Sequence, residues 1–162
     1  MKKRFLSFLW TLLFVALTFN SLAFAEDLKL PSLFEPEKSF SFTDFKGKVV
    51  LLNFWTIRCP YCRMELPVLN KAQDAFSEDV RVISVLFARG NDIEEAKDWI
   101  RRNKLDSILF LLDAEGKLFE EFGVMGVPYT VFFDKEGKKV TQLSGAFPES
   151  IIFSLIQKIL GK

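Results

Sequence analysis

The chain of 162 residues has no histidine and only two cysteines. A structural zinc site takes four ligands, and no Asp or Glu is spaced to complete a set around these two sulfurs. A c-type haem attachment requires histidine directly after the second cysteine, and that position is Arg63. An excess of one charge sign is missing too. The 22 Lys and Arg face 21 Asp and Glu with no basic block, so nucleic-acid binding has no electrostatic support. Internal repeats and low-complexity linkers are also lacking beyond the apolar start of the chain.

The two cysteines lie together, in Cys59-Pro60-Tyr61-Cys62. Upstream, Val49 to Trp55 reads as a short β-strand; downstream, Arg63 to Phe76 carries Leu66, Leu69, Ala72, Ala75 and Phe76 at near-helical spacing. A strand–CxxC–helix order places the first sulfur at a helix N-terminus. Free N–H groups and the positive end of the helix dipole there favour thiolate over thiol. A thiolate attacks disulfides, and a cysteine three residues on can resolve the mixed disulfide. A purely structural disulfide is the competing reading, weakened because closing so short a loop restrains little of the unfolded chain.

The N-terminus reads as an export signal. Met1-Lys2-Lys3-Arg4 is basic, Phe5 to Phe19 is almost wholly apolar, and Ala23-Phe24-Ala25 offers a cleavage site before Glu26. The expected organisation is a signal peptide over 1–25, or in its place a retained membrane anchor, followed by one domain over 26–162. Either delivers the domain outside the cytoplasm, where disulfides persist. Without Lys2, Lys3 and Arg4 the basic count falls to 19 against 21 acidic residues, a formal charge of −2.

Within the domain, residues 26–48 read as an irregular or hairpin lead-in, with Leu33, Phe40, Phe42 and Phe45 available to cover one side of the core. Further strands are expected over Val80–Phe87, Ser107–Leu112, Thr130–Phe133 and Val140–Ser144. Helices are expected over Asp92–Asn103 with Asp92 as cap, over Lys117–Phe122 ended by Gly123, and over Pro148–Leu160. Strands separated by helices call for right-handed crossovers and parallel pairing, while the tight turn at Lys135–Lys138 makes the last two strands antiparallel.

Phe54-Trp55-x-x-x-Cys59-Pro60-Tyr61-Cys62-Arg63-x-Glu65-Leu66-Pro67, together with Gly126-Val127-Pro128-Tyr129-Thr130, resembles the thioredoxin superfamily. Within it the chain is similar to the exported TlpA/ResA-like thiol–disulfide oxidoreductases, a group that includes the cytochrome c maturation reductases. The resemblance runs from about residue 28 to 160. It implies an α/β thioredoxin-like fold, a central mixed sheet flanked by helices, with an N-terminal extension.

The resemblance also assigns roles. Cys59 is the exposed nucleophile and Cys62 the buried resolving cysteine. Pro60 and Tyr61 shape the loop; Pro is at home in a first helical turn, where its missing N–H costs nothing. Pro128 corresponds to the family's cis-proline beside the disulfide. Trp55, Pro60, Tyr61, Val127 and Tyr129 form the expected substrate-binding surface. Glu65, on the same helix face as Cys62, either raises the thiol pKa values or relays a proton, against the alternative of a surface acid complementing the helix dipole. Asn53 stands where thioredoxins carry a buried Asp and cannot titrate. Two positions depart from the family. Arg58 replaces the usual Trp and is expected to favour the Cys59 thiolate, against Glu65. Tyr129 is bulkier than the usual Thr or Ser.

Other classes compete. A peroxiredoxin has Thr three residues before its reactive cysteine, as Thr56 does, but also Pro seven before it, where this chain has Leu52. Glutaredoxins share Cys-Pro-Tyr-Cys but lack an export signal and so long a lead-in. A copper carrier on the same fold uses thiolates with wider spacing plus a histidine. The reading adopted is an exported protein-disulfide reductase cycling Cys59 and Cys62, acting in the bacterial periplasm or at the outer face of the cytoplasmic membrane. A disulfide-forming oxidase is the alternative on the same site. The expected partners are a disulfide-bearing exported protein, apocytochrome c among the candidates, and a membrane thiol electron donor. The protein is expected to be a monomer needing no cofactor, metal or nucleic acid.

Overall fold

A computed structural model describes residues 29–162; the expected signal segment over 1–25 lies outside the described residues. The β-branched, apolar runs form the sheet. Strands β3 (Val49–Trp55), β4 (Val80–Leu86), β5 (Leu109–Leu112), β6 (Tyr129–Phe133) and β7 (Lys139–Ser144) lie in the order β5-β4-β3-β6-β7. β3 pairs parallel with β4, and β4 with β5; β6 runs antiparallel to both β3 and β7. The helices are α1 (Pro60–Ala75), α2 (Asn91–Arg102), α3 (Lys117–Glu121) and α4 (Glu149–Leu160). This is the thioredoxin-like arrangement of a mixed central sheet flanked by helices.

All seven residues of β3 are buried, as expected of a strand covered on both faces. Alternation divides them. Val49, Leu51 and Trp55 join α1, α2 and α4 in one core cluster, while Val50, Leu52 and Phe54 meet α3 and the lead-in on the other side. On α1, Leu66, Leu69 and Ala72 are fully buried against the first cluster. Each leucine contributes roughly 1.5–3 kcal/mol by leaving water.

The lead-in is a short hairpin of β1 (Leu30–Pro31) and β2 (Ser39–Phe40), followed by a 3-10 turn over Phe42–Phe45. It covers both sides rather than one. Phe40, Phe42 and Phe45 pack on the α3 side, but Leu33 belongs to the α1 side. The split arises because Ser32 bridges Leu111 antiparallel and the Leu33 N–H donates to the Phe110 carbonyl, so the lead-in wraps the free edge of β5.

Two buried polar side chains replace missing backbone partners. Gln73 accepts from the Val82 N–H at 2.8 Å and donates to the Val80 carbonyl, serving β4 where β5 has not yet begun. Asp113 accepts from the N–H groups of Lys117, Leu118 and Phe119 and so caps α3. Helix α3 ends before Gly123, whose φ of 61° is a conformation that glycine adopts without a Cβ clash. Helix α2 corrects the expected cap. Gly90 occupies that position without a side-chain bond, and Asp92 lies inside the first turn.

Candidate active site

β3 ends at Trp55, and after four intervening residues the chain enters α1 with Pro60 as the first helical residue. Cys59 is therefore the N-cap, and the Cys62 N–H donates to its Sγ at 3.1 Å. The two cysteines are joined in a disulfide, with Cα atoms 5.3 Å apart. They are unequal in access: Cys59 is half-buried, and Cys62 is only 1% exposed under the first turn.

The loop before β6 reaches the disulfide from the side. The Val127–Pro128 peptide is cis, and Pro128 is buried. The Val127 carbonyl oxygen lies 3.6 Å from Cys59 Sγ. A disulfide sulfur has no hydrogen, so this is a close contact; in the dithiol the same oxygen can accept from the Cys59 S–H. Exposed apolar side chains flank the pair in the chain, Pro60, Tyr61 at 64% and Met64 on the first turns of α1, and Met125 at 98% in the loop before β6. Tyr129 is half-buried with its ring against Phe54.

Trp55 requires a correction. Its ring is wholly buried, packed near Trp99 and Phe110, so it supports the loop from below and cannot touch a bound substrate. The period-2 alternation of β3 turns it to the helix-covered face.

The surface-acid reading of Glu65 also fails. Its side chain is 1% exposed, one turn beyond Cys62 on α1. Burial pushes its carboxyl up to about 7, opposed by hydrogen bonds from the Phe147 N–H, the Thr130 hydroxyl and the Asn53 amide. The Asn53 Nδ2 donates to Glu65 Oε2 at 3.1 Å and to Thr130 Oγ1 at 3.0 Å, and the Phe147 N–H donates to Oε1 at 3.3 Å. On the far side the Ser84 hydroxyl donates to Asn53 Oδ1 at 2.8 Å. Thr130 and Ser84 were not singled out from the sequence. The available signal was a small polar residue within each strand flanking β3, Ser84 in β4 and Thr130 in β6; the strand register sets both directly opposite Asn53.

Arg58, next to Cys59 in the chain, is paired with two acids of α2. Its guanidinium forks onto Asp92 at 2.6 and 3.3 Å and reaches Glu95 at 3.8 Å. Those acids raise its pKa further, the hydrogen bond to Asp92 first, and offset its charge beside the sulfur. Among the described residues no three Cys, Asp or Glu side chains gather closely enough to hold a metal ion.

The chain is similar to known thiol–disulfide oxidoreductases. The model of the AhpC/TSA family matches residues 23–141. The thiol-disulfide oxidoreductase ResA of Bacillus thuringiensis subsp. konkukian is 30% identical over 122 residues, covering 75% of this chain and 69% of that protein. The thiol:disulfide interchange protein DsbE of Pseudomonas aeruginosa is 32% identical over 67% of this chain and 57% of its own length. Among solved structures, the pneumococcal exposed lipoprotein thioredoxin Etrx1 from Streptococcus pneumoniae superimposes with a TM-score of 0.70. It is 28% identical over 81% of this chain and 98% of that one.

Proposed function

Since the chain belongs to the AhpC/TSA family and is a thiol–disulfide oxidoreductase of the ResA and DsbE type, we propose that it works as an exported protein-disulfide reductase through Cys59 and Cys62. The observation that carries this reading is the asymmetry of the pair: an accessible N-cap sulfur, a buried partner, and a carboxyl poised near neutrality below them.

In the proposed cycle the dithiol is the resting reductant. The Cys59 thiolate, stabilised by the Cys62 N–H and the helix start, attacks one sulfur of a substrate disulfide and expels the other as a thiolate. Cys62 then loses its proton and attacks Cys59 Sγ, which releases the second substrate thiolate and closes the Cys59–Cys62 disulfide. The substrate gains two electrons and, on protonation, two protons; the enzyme loses the same. Glu65, with its carboxyl near 7, suits the transfer of the Cys62 proton, because such a group can both accept and return it. A membrane thiol donor re-reduces the enzyme. Pro128 and Val127 line the approach to Cys59, and exposed Tyr61 receives the polypeptide beside the substrate cysteine. Apocytochrome c fits as a substrate because its haem-attachment cysteines must be reduced before use.

Export is supported by the basic start and apolar run before Glu26, and the related Etrx1 is itself described as an exposed lipoprotein. Among the described residues no helix is long and apolar enough to cross a membrane. The reducing direction is argued from the likeness to ResA, and the pairing of Arg58 with Asp92 and Glu95 fits it by offsetting a charge that would stabilise the Cys59 thiolate. Equilibration with glutathione redox buffers tests the direction. The potential should lie nearer about −270 mV than about −120 mV. A value at the oxidising end would replace the reductase with a disulfide-forming oxidase.

A further inference from the structure

The side chains of Ser84, Asn53 and Thr130 form one row across β4, β3 and β6, and Glu65 of α1 sits on that row. We propose that Ser84, which approaches neither sulfur by any recorded contact, is a positioning residue. Its hydroxyl holds the Asn53 amide with Nδ2 toward Glu65 and so sets the proton affinity of that carboxyl. The proposal rests on Cys59 and Cys62 being the exchanging pair that Glu65 serves.

The geometry admits little freedom. Ser84, Asn53, Glu65 and Thr130 are each 1% exposed or less, so water does not compete for their bonds. An asparagine amide has two ends of nearly equal shape and can rotate by half a turn. In the observed orientation Oδ1 accepts from Ser84 at 2.8 Å, while Nδ2 donates to both Glu65 and Thr130. Rotated, the amide would aim Oδ1 at the carboxylate. The buried Ser84 hydroxyl would also lose the one acceptor recorded for its proton, and an unmade buried hydrogen bond is costly. The bond from Ser84 also polarises the amide, which strengthens the donors on its other end.

Glu65 therefore receives three donors, from Asn53, Thr130 and the Phe147 backbone, against the penalty of burial. No charged side chain of β3, β4, β6 or α4 bonds to it among the described residues. Along its own helix Arg63 lies two residues before it, Cys62 three and Tyr61 four, and neither Arg63 nor Tyr61 bonds to it among the described residues. Removing the Ser84 hydroxyl lets the amide rotate whenever Glu65 is protonated, because the acid proton can then donate to Oδ1. That favours the neutral acid.

The test begins with the oxidised protein, in which no thiol titrates, so it reads Glu65 without any exchange reaction. The side-chain carboxyl carbon of Glu65 is followed by NMR against pH. Ser84→Ala should raise its proton affinity by about three- to tenfold, the span of one net hydrogen bond. Ser84→Thr, which keeps the hydroxyl, should restore it. In the reduced protein, Ser84→Ala should move the pH profile of Cys59 alkylation to lower pH and should have no such effect in a Glu65→Gln background.

An unchanged Glu65 midpoint in a folded Ser84→Ala protein overturns the proposal, as does a profile shift that persists without Glu65. If Ser84→Ala does not fold, the native protein decides. The Asn53 side-chain NH2 signals should shift with the Glu65 midpoint, and their failure to do so overturns the assigned amide orientation. Should the Glu65 results hold while neither cysteine exchanges with substrate, the positioning role stands and the proposed function falls.

Discussion

The Cys62 N–H points at Cys59 Sγ across 3.1 Å, so the sulfur proposed to attack substrate is also the cap of its own helix. A thiolate there satisfies a helix-end donor that would otherwise lack a partner, and Cys62 has no equivalent position. In the reduced protein Cys59 should be alkylated by iodoacetamide at least about tenfold faster than Cys62, given its access and thiolate character. Mass mapping after brief treatment reads the ratio; faster labelling of Cys62 reverses the two roles.

Glu65 lies one turn beyond Cys62, with no cation bonded to it among the described residues. Its ionised form opposes a second negative charge nearby. Glu65→Gln should lower the thiolate titration midpoint of at least one cysteine by roughly one pH unit. Thiolate absorbance against pH measures it, and a superimposable curve would remove Glu65 from the proton chemistry.

The same carboxyl predicts a slope in stability. Glu65 holds its proton up to about 7 in the fold, against 4.5 for the ordinary group. Its folded pKa is raised, so its contribution is complete below about pH 4.5 and is lost as pH rises through about 7. For the oxidised protein the loss should be on the order of 3 kcal/mol. Urea midpoints between pH 4 and pH 8 should fall in the native protein and flatten in Glu65→Gln. Equal slopes in both would place the dependence on other groups.

Arg58 offers a test of charge pairing at the surface. With its guanidinium on Asp92 and Glu95, Arg58→Ala should leave the Cys59 alkylation rate within about a factor of two. Asp92→Asn combined with Glu95→Gln frees the cation beside the sulfur and should move the Cys59 profile to lower pH. If Arg58→Ala alone slows alkylation tenfold, the acids do not offset its charge.

Trp55 has no route to substrate, so its substitution should act on stability. Trp55→Phe should lower the unfolding midpoint while leaving the KM for a disulfide substrate within about twofold; truncation to alanine would cost about 3–5 kcal/mol. A large KM change in a protein of unchanged stability would restore Trp55 to the binding surface.

The sheet was readable because its strands are short, β-branched runs whose ends carry turn residues, and such signals are local. Cys59 and Cys62 were readable for the same reason. What escaped depends on pairings far apart in the chain. Arg58 meets Asp92 across 34 residues, and nothing near Arg58 announces it. The carboxyl of Glu65 has the sequence context of an ordinary exposed acid near a helix start. Its burial follows from Asn53 and Thr130 lying directly beneath α1, which requires the register of β3 against β6. Trp55 was misplaced because nearness to the cysteines in sequence says nothing of which sheet face a strand residue takes.

The lead-in has a consequence for reach. Ser32 runs antiparallel to Leu111, so tracing the chain backward from Leu33 to Lys29 follows β5 toward its C-terminal end. β5 is parallel to β4, and β4 to β3, whose own C-terminal end leads into Cys59. The polypeptide thus enters the domain at its redox pole, two strand spacings or roughly 10 Å to the side of β3. Any tether joined at Lys29 would therefore hold the domain by the end that carries the disulfide, leaving the opposite end of the sheet outermost.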